Sequence, residues 1–199
     1  MEDKALEILR TMMDARGLPT KTERIVVEDL ENVSVYTIGA ILVIFSLKDK
    51  LQERDIIKYV TVGGTLGYTN GIVLVAMNKP SENVVKSVKS YAKERVQFFH
   101  LQQLQTDITK HRYAAPHAIF NEAFRSKNQE LAKRYDDLKI EKPDEQLPSI
   151  DSQDPMVKWI GAIPGDIVYV KRHSDVAGHT DYWRYVVEDV HVVTTAVQD

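Results

Sequence analysis

Two uninterrupted apolar runs constrain the fold of this chain more than any other feature. The first run, residues 40–45, lies between Gly39 and Lys48, and the second run, residues 72–76, follows a glycine-rich stretch. A continuous apolar run of this length is typical of a strand that is buried on both faces. Residues 52–60 between the runs have a helical pattern, and the order strand, helix, strand indicates a parallel pair. We therefore expect an N-terminal α/β region with a central mixed sheet flanked by helices.

Further helices are predicted around these strands. One spans about residues 3–16, another follows Ser81 as its N-cap, and a long amphipathic helix spans residues 121–138. Thr20 followed by Glu23 has the form of a capping box and predicts a short helix there.

The last third of the chain predicts a second, smaller unit. Asp154 and Pro155 are typical of a helix start, and Gly161 is typical of a helix end. Residues 167–170 are rich in β-branched side chains, and residues 183–193 indicate one or two further strands. The expected result is a small C-terminal α+β module with a mixed or antiparallel sheet.

The predicted boundary between the two units lies in the polar stretch 139–146, which contains Pro143. It divides the chain into domains 1–142 and 143–199. The chain has a net charge of −3, but residues 79–142 carry 13 basic against 8 acidic residues, whereas residues 143–199 carry 4 against 10. A locally basic surface attracts polyanions such as DNA, although a solvated helix face has the same composition.

Composition excludes several classes of site. The chain has no cysteine, which excludes disulfides, thiolate zinc sites and a cysteine nucleophile. No apolar run approaches the roughly 20 residues that span a bilayer, and the start Met1 to Lys4 has no apolar secretory core. We expect a protein of the cytosol or nucleus with no membrane partner.

Catalytic and cofactor motifs are incomplete. Residues 63–67 are glycine-rich but fit neither the phosphate-binding loop nor the dinucleotide fingerprint, and the histidines near residue 175 lack a recognised metal spacing. A nuclease of the restriction type needs a later acid-x-Lys after Pro143-Asp144, and none follows. Ser174 and His173 are not part of a Gly-x-Ser-x-Gly motif, the nucleophile elbow of hydrolases. We expect no catalytic residue, metal or cofactor.

Arg172 and Arg184 leave two interpretations open. An arginine beside a strand can pair with a carboxylate of a partner subunit, or it can form an internal salt bridge to Asp154 or Glu188. The sequence alone does not separate these alternatives.

The C-terminal third also carries a spaced set of residues: Leu147, Pro148, Ile150, Asp154, Pro155, Gly161, Gly165, Val168, Arg172, Ser174, Ala177, Gly178 and Arg184. This set resembles the signature of the small subunit shared by the eukaryotic nuclear RNA polymerases, subunit five, whose C-terminal module corresponds to a separate small subunit of the archaeal polymerases. The chain departs from that pattern at His173, where the family has proline, and at Trp183, where it has tyrosine. Weaker matches run in the family's order upstream, at residues 5–17, 40–47, 71–81 and 108–117.

The resemblance implies a non-catalytic subunit of a multisubunit DNA-directed RNA polymerase, acting in transcription. Its N-terminal domain would be a jaw beside downstream duplex DNA, bound weakly, and its C-terminal domain would be an assembly module docked on the largest subunit. The implied partner-subunit interface comprises Leu147, Pro148, Ile150, Asp154, Pro155, Arg172, Ser174, Ala177, Gly178 and Arg184. The implied DNA-proximal residues are Lys110, His111, Arg112 and His117. No small-molecule substrate is implied.

The divergence from the nuclear family suggests a copy from a large DNA virus, present in the host cytoplasm and the virion, whereas a cellular copy would be nuclear. The alternative from another class is a free-standing DNA-binding or DNA-processing, nuclease-like protein. It predicts tight, salt-dependent duplex binding by the isolated chain.

Overall fold

The computed structural model describes residues 1–68, 70–174 and 178–189. The helices are α1 (Glu2–Ala15), α2 (Glu53–Thr65), α3 (Glu82–Ser90), α4 (Glu122–Lys127), α5 (Gln129–Asp137), α6 (Pro143–Gln146) and α7 (Pro155–Ile160). The strands are β1 (Thr22–Ile25), β2 (Val33–Ile38), β3 (Ile41–Ser46), β4 (Ile72–Ala76), β5 (Val96–His100), β6 (His117–Ile119), β7 (Ser149–Asp151), β8 (Ile167–Ser174) and β9 (Gly178–Val187). Among the described residues, no helix is both long and apolar enough to cross a membrane.

The first sheet has five strands in the order β1-β2-β3-β4-β5. The strands β3, β4 and β5 are parallel, with Leu42 opposite Ile72 and Ile72 opposite Val96, whereas β1, β2 and β3 are antiparallel. Every residue of β3 and β4 is buried, as their continuous apolar sequence predicts. The predicted mixed central sheet is confirmed. We call this sheet with α1, α2 and α3 the five-stranded module.

Each face of this sheet is covered by helices. Helix α1 buries Leu6, Leu9 and Met13 against one face, in a core that also contains Val43 and Val75. Helices α2 and α3 cover the other face, in a core with these members: Leu42, Ile44, Ile56, Tyr59, Leu74, Val84, Val88 and Phe98.

Gly63 and Gly64, which follow the predicted helical segment 52–60, are inside α2. Gly63 is buried, and a Cβ atom there would lie 2.4 Å from Ile72 Cδ1 on β4. Gly64 has open space around it. Gly63 therefore lets α2 approach the sheet more closely than a side chain would permit.

Local helix predictions are wrong in two places. The segment after Thr20 is the edge strand β1, because pairing with β2 outweighs the capping signal of Thr20 and Glu23. The predicted helix over 121–138 is two helices that meet at Asn128, where φ is −128° and ψ is 59°. The Asn128 side chain donates a hydrogen bond to the Phe124 carbonyl at 2.9 Å, which competes with helical backbone pairing.

The second sheet has four strands in the order β6-β8-β9-β7, with β8 and β9 forming an antiparallel hairpin. Helix α7 starts at its predicted N-cap, since Asp154 Oδ1 accepts from Met156 N at 2.8 Å, and it ends at Gly161 with φ of +75°. One sheet face packs with α7 through Ile150, Val157, Val168 and Val186. The other packs an aromatic cluster, Phe120, Tyr135, Tyr169 and Trp183. The predicted α+β module is confirmed, and we call it the four-stranded module (β6–β9 with α4–α7).

The edge strand β6 of the four-stranded module precedes the predicted linker in the sequence. In β6, His117 pairs with Val170 and Ile119 pairs with Val168 of β8. The domain boundary near residue 143 therefore stays a prediction about which segments fold as a unit.

The two modules meet at a buried polar junction. Arg16, at the end of α1, donates to the carbonyls of Trp159, at 3.0 Å, and Lys158, and to Gln97 Oε1 at 2.8 Å. Lys158 Nζ donates to the carbonyl of Phe98 on β5 at 2.6 Å. Arg16 therefore caps the carbonyl end of α7, and Lys158 satisfies the outer edge of β5.

Candidate partner and nucleic-acid surfaces

An exposed strip on the four-stranded module combines two arginines and a tyrosine. Residues Tyr182 and Arg184 alternate along β9, and Arg172 of β8 lies opposite Thr180 in the same register. Residues two apart on a strand, and residues directly opposite on paired strands, share one face. These three side chains therefore lie on the same face, and Tyr182 is 41% exposed. We call Arg172, Tyr182 and Arg184 the arginine–tyrosine strip.

The arginine–tyrosine strip lies on the same sheet face as residues of the hydrophobic core beneath α7. Val168 lies opposite Arg184, and both Val168 and Val186 are fully buried in the core with α7. Helix α7 has only six residues, so it covers part of that face.

Neither internal salt bridge considered for Arg184 forms. Asp154 caps α7, and Glu188 pairs with Lys93 at 3.0 Å. Arg184 Nη1 donates instead to the Ser149 carbonyl at 3.3 Å. Within the described ranges Arg172 forms no salt bridge and is exposed. A carbonyl partner leaves the charge of Arg184 uncompensated, so it remains available to an acidic group.

The other predicted interface residues have identifiable roles in the fold. Ile150 is buried in the core beneath α7, and Leu147 packs against the aromatic cluster. Pro155 is the first residue of α7, and Gly178 starts β9 with φ of +71°. Pro148 is exposed. The side chain of Ser174 and the whole of Ala177 lie outside the described residues.

Three of the four predicted DNA-proximal residues form one exposed cluster. Lys110, His111 and Arg112 are exposed, and they directly precede Tyr113, which is 78% exposed. The Arg112 guanidinium lies 5.4 Å from the centroid of the Tyr113 ring, and the His111 ring lies 6.0 Å from it. We call residues 110–113 the basic loop. A cation stacked on an exposed aromatic ring can contact both a phosphate and a base or sugar face.

His117 is separate from the basic loop. It is half-buried in β6, and its Nδ1 lies 2.7 Å from the Ala115 carbonyl. It lines a groove of about 470 Å³ with Trp159 and Ile160. His117 could therefore stabilise the turn at Ala115 or contact a molecule bound in the groove.

The sequence prediction missed Tyr113 and Tyr182. Each had a usable signal, because Tyr113 follows three cationic or titratable residues and Tyr182 alternates with Arg184 on a predicted strand. The His173 and His179 rings form a cross-strand pair 5.3 Å apart. In the part of the chain that is described, no group of three or more His, Cys, Asp or Glu residues is placed to hold a metal ion.

Comparison with known proteins identifies the second half of the chain. The family model for the C-terminal domain of RNA polymerase Rpb5 matches residues 106–186. The DNA-directed RNA polymerase subunit Rpo5 of Thermococcus onnurineus is 41% identical over 83 residues, which are 42% of this chain and 92% of that protein. The chain belongs to the RNA polymerase Rpb5 family.

Archaeal members of the family match a shorter segment more closely. Subunit Rpo5 of Methanosarcina mazei is 54% identical over 44 residues, or 22% of this chain and 56% of that protein. Subunit Rpo5 of Pyrococcus horikoshii is 57% identical over 44 residues, or 22% of this chain and 54% of that protein. The Rpb5 match over 106–186 covers β6, β7, β8, the arginine–tyrosine strip and the basic loop. The predicted membership in a transcription-related polymerase subunit family is confirmed.

Proposed function

We propose that this chain is a non-catalytic subunit of a multisubunit DNA-directed RNA polymerase. In this proposal the arginine–tyrosine strip docks on the largest subunit. The basic loop then lies beside downstream duplex DNA.

The strip is the observation that carries the docking proposal. Its residues are exposed or half-exposed, lie on one sheet face, and belong to the segment matched by the Rpb5 family. Tyrosine and arginine are the residue types enriched at the energetic centres of protein interfaces. A complementary partner surface would be acidic around an apolar centre that receives Tyr182.

The basic loop supports a contact with phosphates. Within the described part of the chain, the ion pair that Lys110 makes is a long one, with Asp107 at 3.5 Å, and His111 and Arg112 are exposed. Such side chains position a protein on a duplex without reading its sequence. Three to four cationic groups give only weak affinity at physiological salt, so stable placement on DNA would depend on the assembled polymerase.

Affinity purification from native cells tests the docking proposal. Tagged full-length chain should recover very large polymerase subunits, and the Arg172→Ala, Arg184→Ala double variant should reduce that recovery by about tenfold. The matched control is Arg24→Ala with Arg54→Ala, which removes two exposed arginines from the five-stranded module. Equal recovery by both double variants, or no large subunits with the native chain, would contradict the proposal.

Duplex binding by the isolated chain separates the subunit from the free-standing alternative. We expect weak binding at physiological salt, measured by fluorescence anisotropy. Replacing Lys110 and Arg112 by Gln should reduce the slope of log affinity against log salt by about 2. Tight binding at physiological salt would favour a free-standing DNA-binding protein.

A further inference from the structure

A cavity of about 280 Å³ lies at the junction of the two modules. It opens between the ends of α1 and α7 and the turns that precede β4 and β5. Ligand pockets for larger organic molecules have volumes of about 300–1,000 Å³, so this cavity suits a smaller ligand.

Two arginines line the cavity, Arg16 and Arg95. Arg16 donates to two backbone carbonyls and to the Gln97 amide oxygen, which are all uncharged acceptors. Across the described ranges neither arginine forms a salt bridge, and Arg95 is exposed. Burial and the neighbouring charge of Arg95 lower the pKa of Arg16 to about 10. The positive charge of this cavity is therefore uncompensated by an ion pair.

The backbone fixes Arg95 beside Arg16. Arg95 has φ of +60°, an uncommon conformation for a residue with a side chain, and its carbonyl accepts a hydrogen bond from Ile72 N at 3.3 Å. Gly71 also lines the cavity, and a Cβ atom there would lie 3.2 Å from the Arg95 carbonyl oxygen. The glycine therefore permits the close approach that holds Arg95 at the cavity edge.

Amides supplement the two charges. Asn70 and Asn121 lie in the cavity lining. The Asn121 Oδ1 atom accepts a hydrogen bond from Phe124 N at 3.0 Å, so the amide nitrogen is the group of this side chain that can donate to a ligand.

The remaining walls are apolar or acidic. Ile41, Ile72 and Ile160 contribute aliphatic surface. Asp166 also lines the cavity, where its Oδ2 accepts from Ile163 N at 2.8 Å. A free phosphate would meet too few donors on the aliphatic side, and a second carboxylate on the ligand would be repelled by Asp166.

We propose that this cavity binds a small monocarboxylate on a short aliphatic stem. The carboxylate faces Arg95 and Arg16, and the stem packs against the isoleucines. The exposed Arg95 side chain can present its guanidinium fork to the carboxylate, and the charge of Arg16 adds to the attraction. Because the ligand would contact both modules, its binding would also hold them in one relative position.

The test is an NMR titration of the full chain with pentanoate at fixed ionic strength, following the amides of Gly71 and Gly161. We expect saturable shifts with single-site behaviour. Arg95→Gln should weaken binding by about tenfold or more, since it removes one charged partner. The matched control Arg24→Gln removes an exposed arginine that does not line the cavity and should leave binding unchanged.

A second variant tests the acidic wall. Asp166→Asn keeps an acceptor for Ile163 N but removes the repulsion, so it should tighten pentanoate binding by a few fold, roughly two to five. Linear, unsaturated shifts in the native chain would overturn the proposal. Equal binding by native chain and Arg95→Gln, or phosphate binding as tightly as pentanoate, would also overturn it.

Discussion

Arg16 and Gly161 depend on each other at the residue scale. Gly161 has φ of +75°, and a Cβ atom there would lie 3.0 Å from Arg16 Nε. The sequence predicted Gly161 only as a helix end. Its second role, leaving room for a guanidinium from 145 residues earlier, has no local sequence signal.

We predict that Gly161→Ala lowers the free energy of unfolding more than Gly17→Ala does. Both positions have positive φ, but Gly17 has open space around it. Each variant carries left-handed strain of about 1 kcal/mol, and Gly161→Ala also disturbs hydrogen bonds from a charged donor worth about 1–3 kcal/mol. Urea unfolding measures both values, and equal losses would contradict the predicted contact with Arg16.

Lys158 is a buried cation with an uncharged acceptor. It is 3% exposed, and its Nζ lies 4.3 Å from the centroid of the Phe99 ring. Burial lowers the pKa of Lys158 from 10.5 to about 8, although Asp154 and Asp151 act in the opposite direction. Protonated Lys158 is therefore less stable in the folded chain than in the unfolded chain.

This pKa predicts a pH dependence of stability. Between pH 8 and 10.5 the unfolded chain binds more protons at this residue, so the free energy of unfolding should rise with pH, by up to roughly 3 kcal/mol. Lys158→Met should lose that rise, whereas Lys58→Met, at an exposed lysine on α2, should keep it. Denaturant unfolding at pH 7.5, 8.5 and 9.5 checks this; identical pH slopes in both variants would refute it.

At the element scale, strong periodic or continuous patterns predicted elements correctly. Strands β3 and β4 and helix α7 have the predicted type, because an apolar run or an N-cap with proline leaves few alternatives. Strand β1 was predicted as a helix, and the division of 121–138 at Asn128 was missed. Strand β1 forms because it pairs with β2, a contact between segments that a local window does not contain. The break at Asn128 comes with a local hydrogen bond to the Phe124 carbonyl, which the amphipathic pattern does not reveal.

The two glycines of α2 give a prediction with an internal control. Gly64→Ala should raise the free energy of unfolding by about 0.5–1 kcal/mol, since alanine favours a helix and the site is open. Gly63→Ala should lower it by about 1–3 kcal/mol, because the new methyl group would overlap Ile72. Thermal or urea unfolding of both variants distinguishes the two effects, and a stabilising Gly63→Ala would show that α2 lies farther from β4.

At the scale of the whole molecule, the two modules were predicted, but their junction was not. The sequence predicted interface and DNA-proximal residues through family resemblance, and those assignments stay predictions. The packing of Arg16, Gln97 and Lys158 depends on contacts between residues more than 60 positions apart. No spacing rule along the chain identifies such contacts.

The pairing of β6 with β8 predicts where a stable fragment begins. A fragment of residues 106–199 should show a cooperative unfolding transition. A fragment of residues 143–199 should not, because it exposes Tyr169 and Trp183 by losing Phe120 and Tyr135. Circular dichroism during heating measures both, and cooperative unfolding of the shorter fragment would support a boundary near residue 143.

The most direct test of the docking proposal is site-specific photo-crosslinking in the native polymerase. A photoreactive phenylalanine analogue replaces Tyr182 in the strip, and in the control it replaces Ile57, which is 45% exposed on α2. We predict that position 182 crosslinks to the largest polymerase subunit, whereas position 57 does not. A polymerase that contains the chain but gives no crosslink from position 182, or gives the same crosslink from position 57, would contradict docking through the strip.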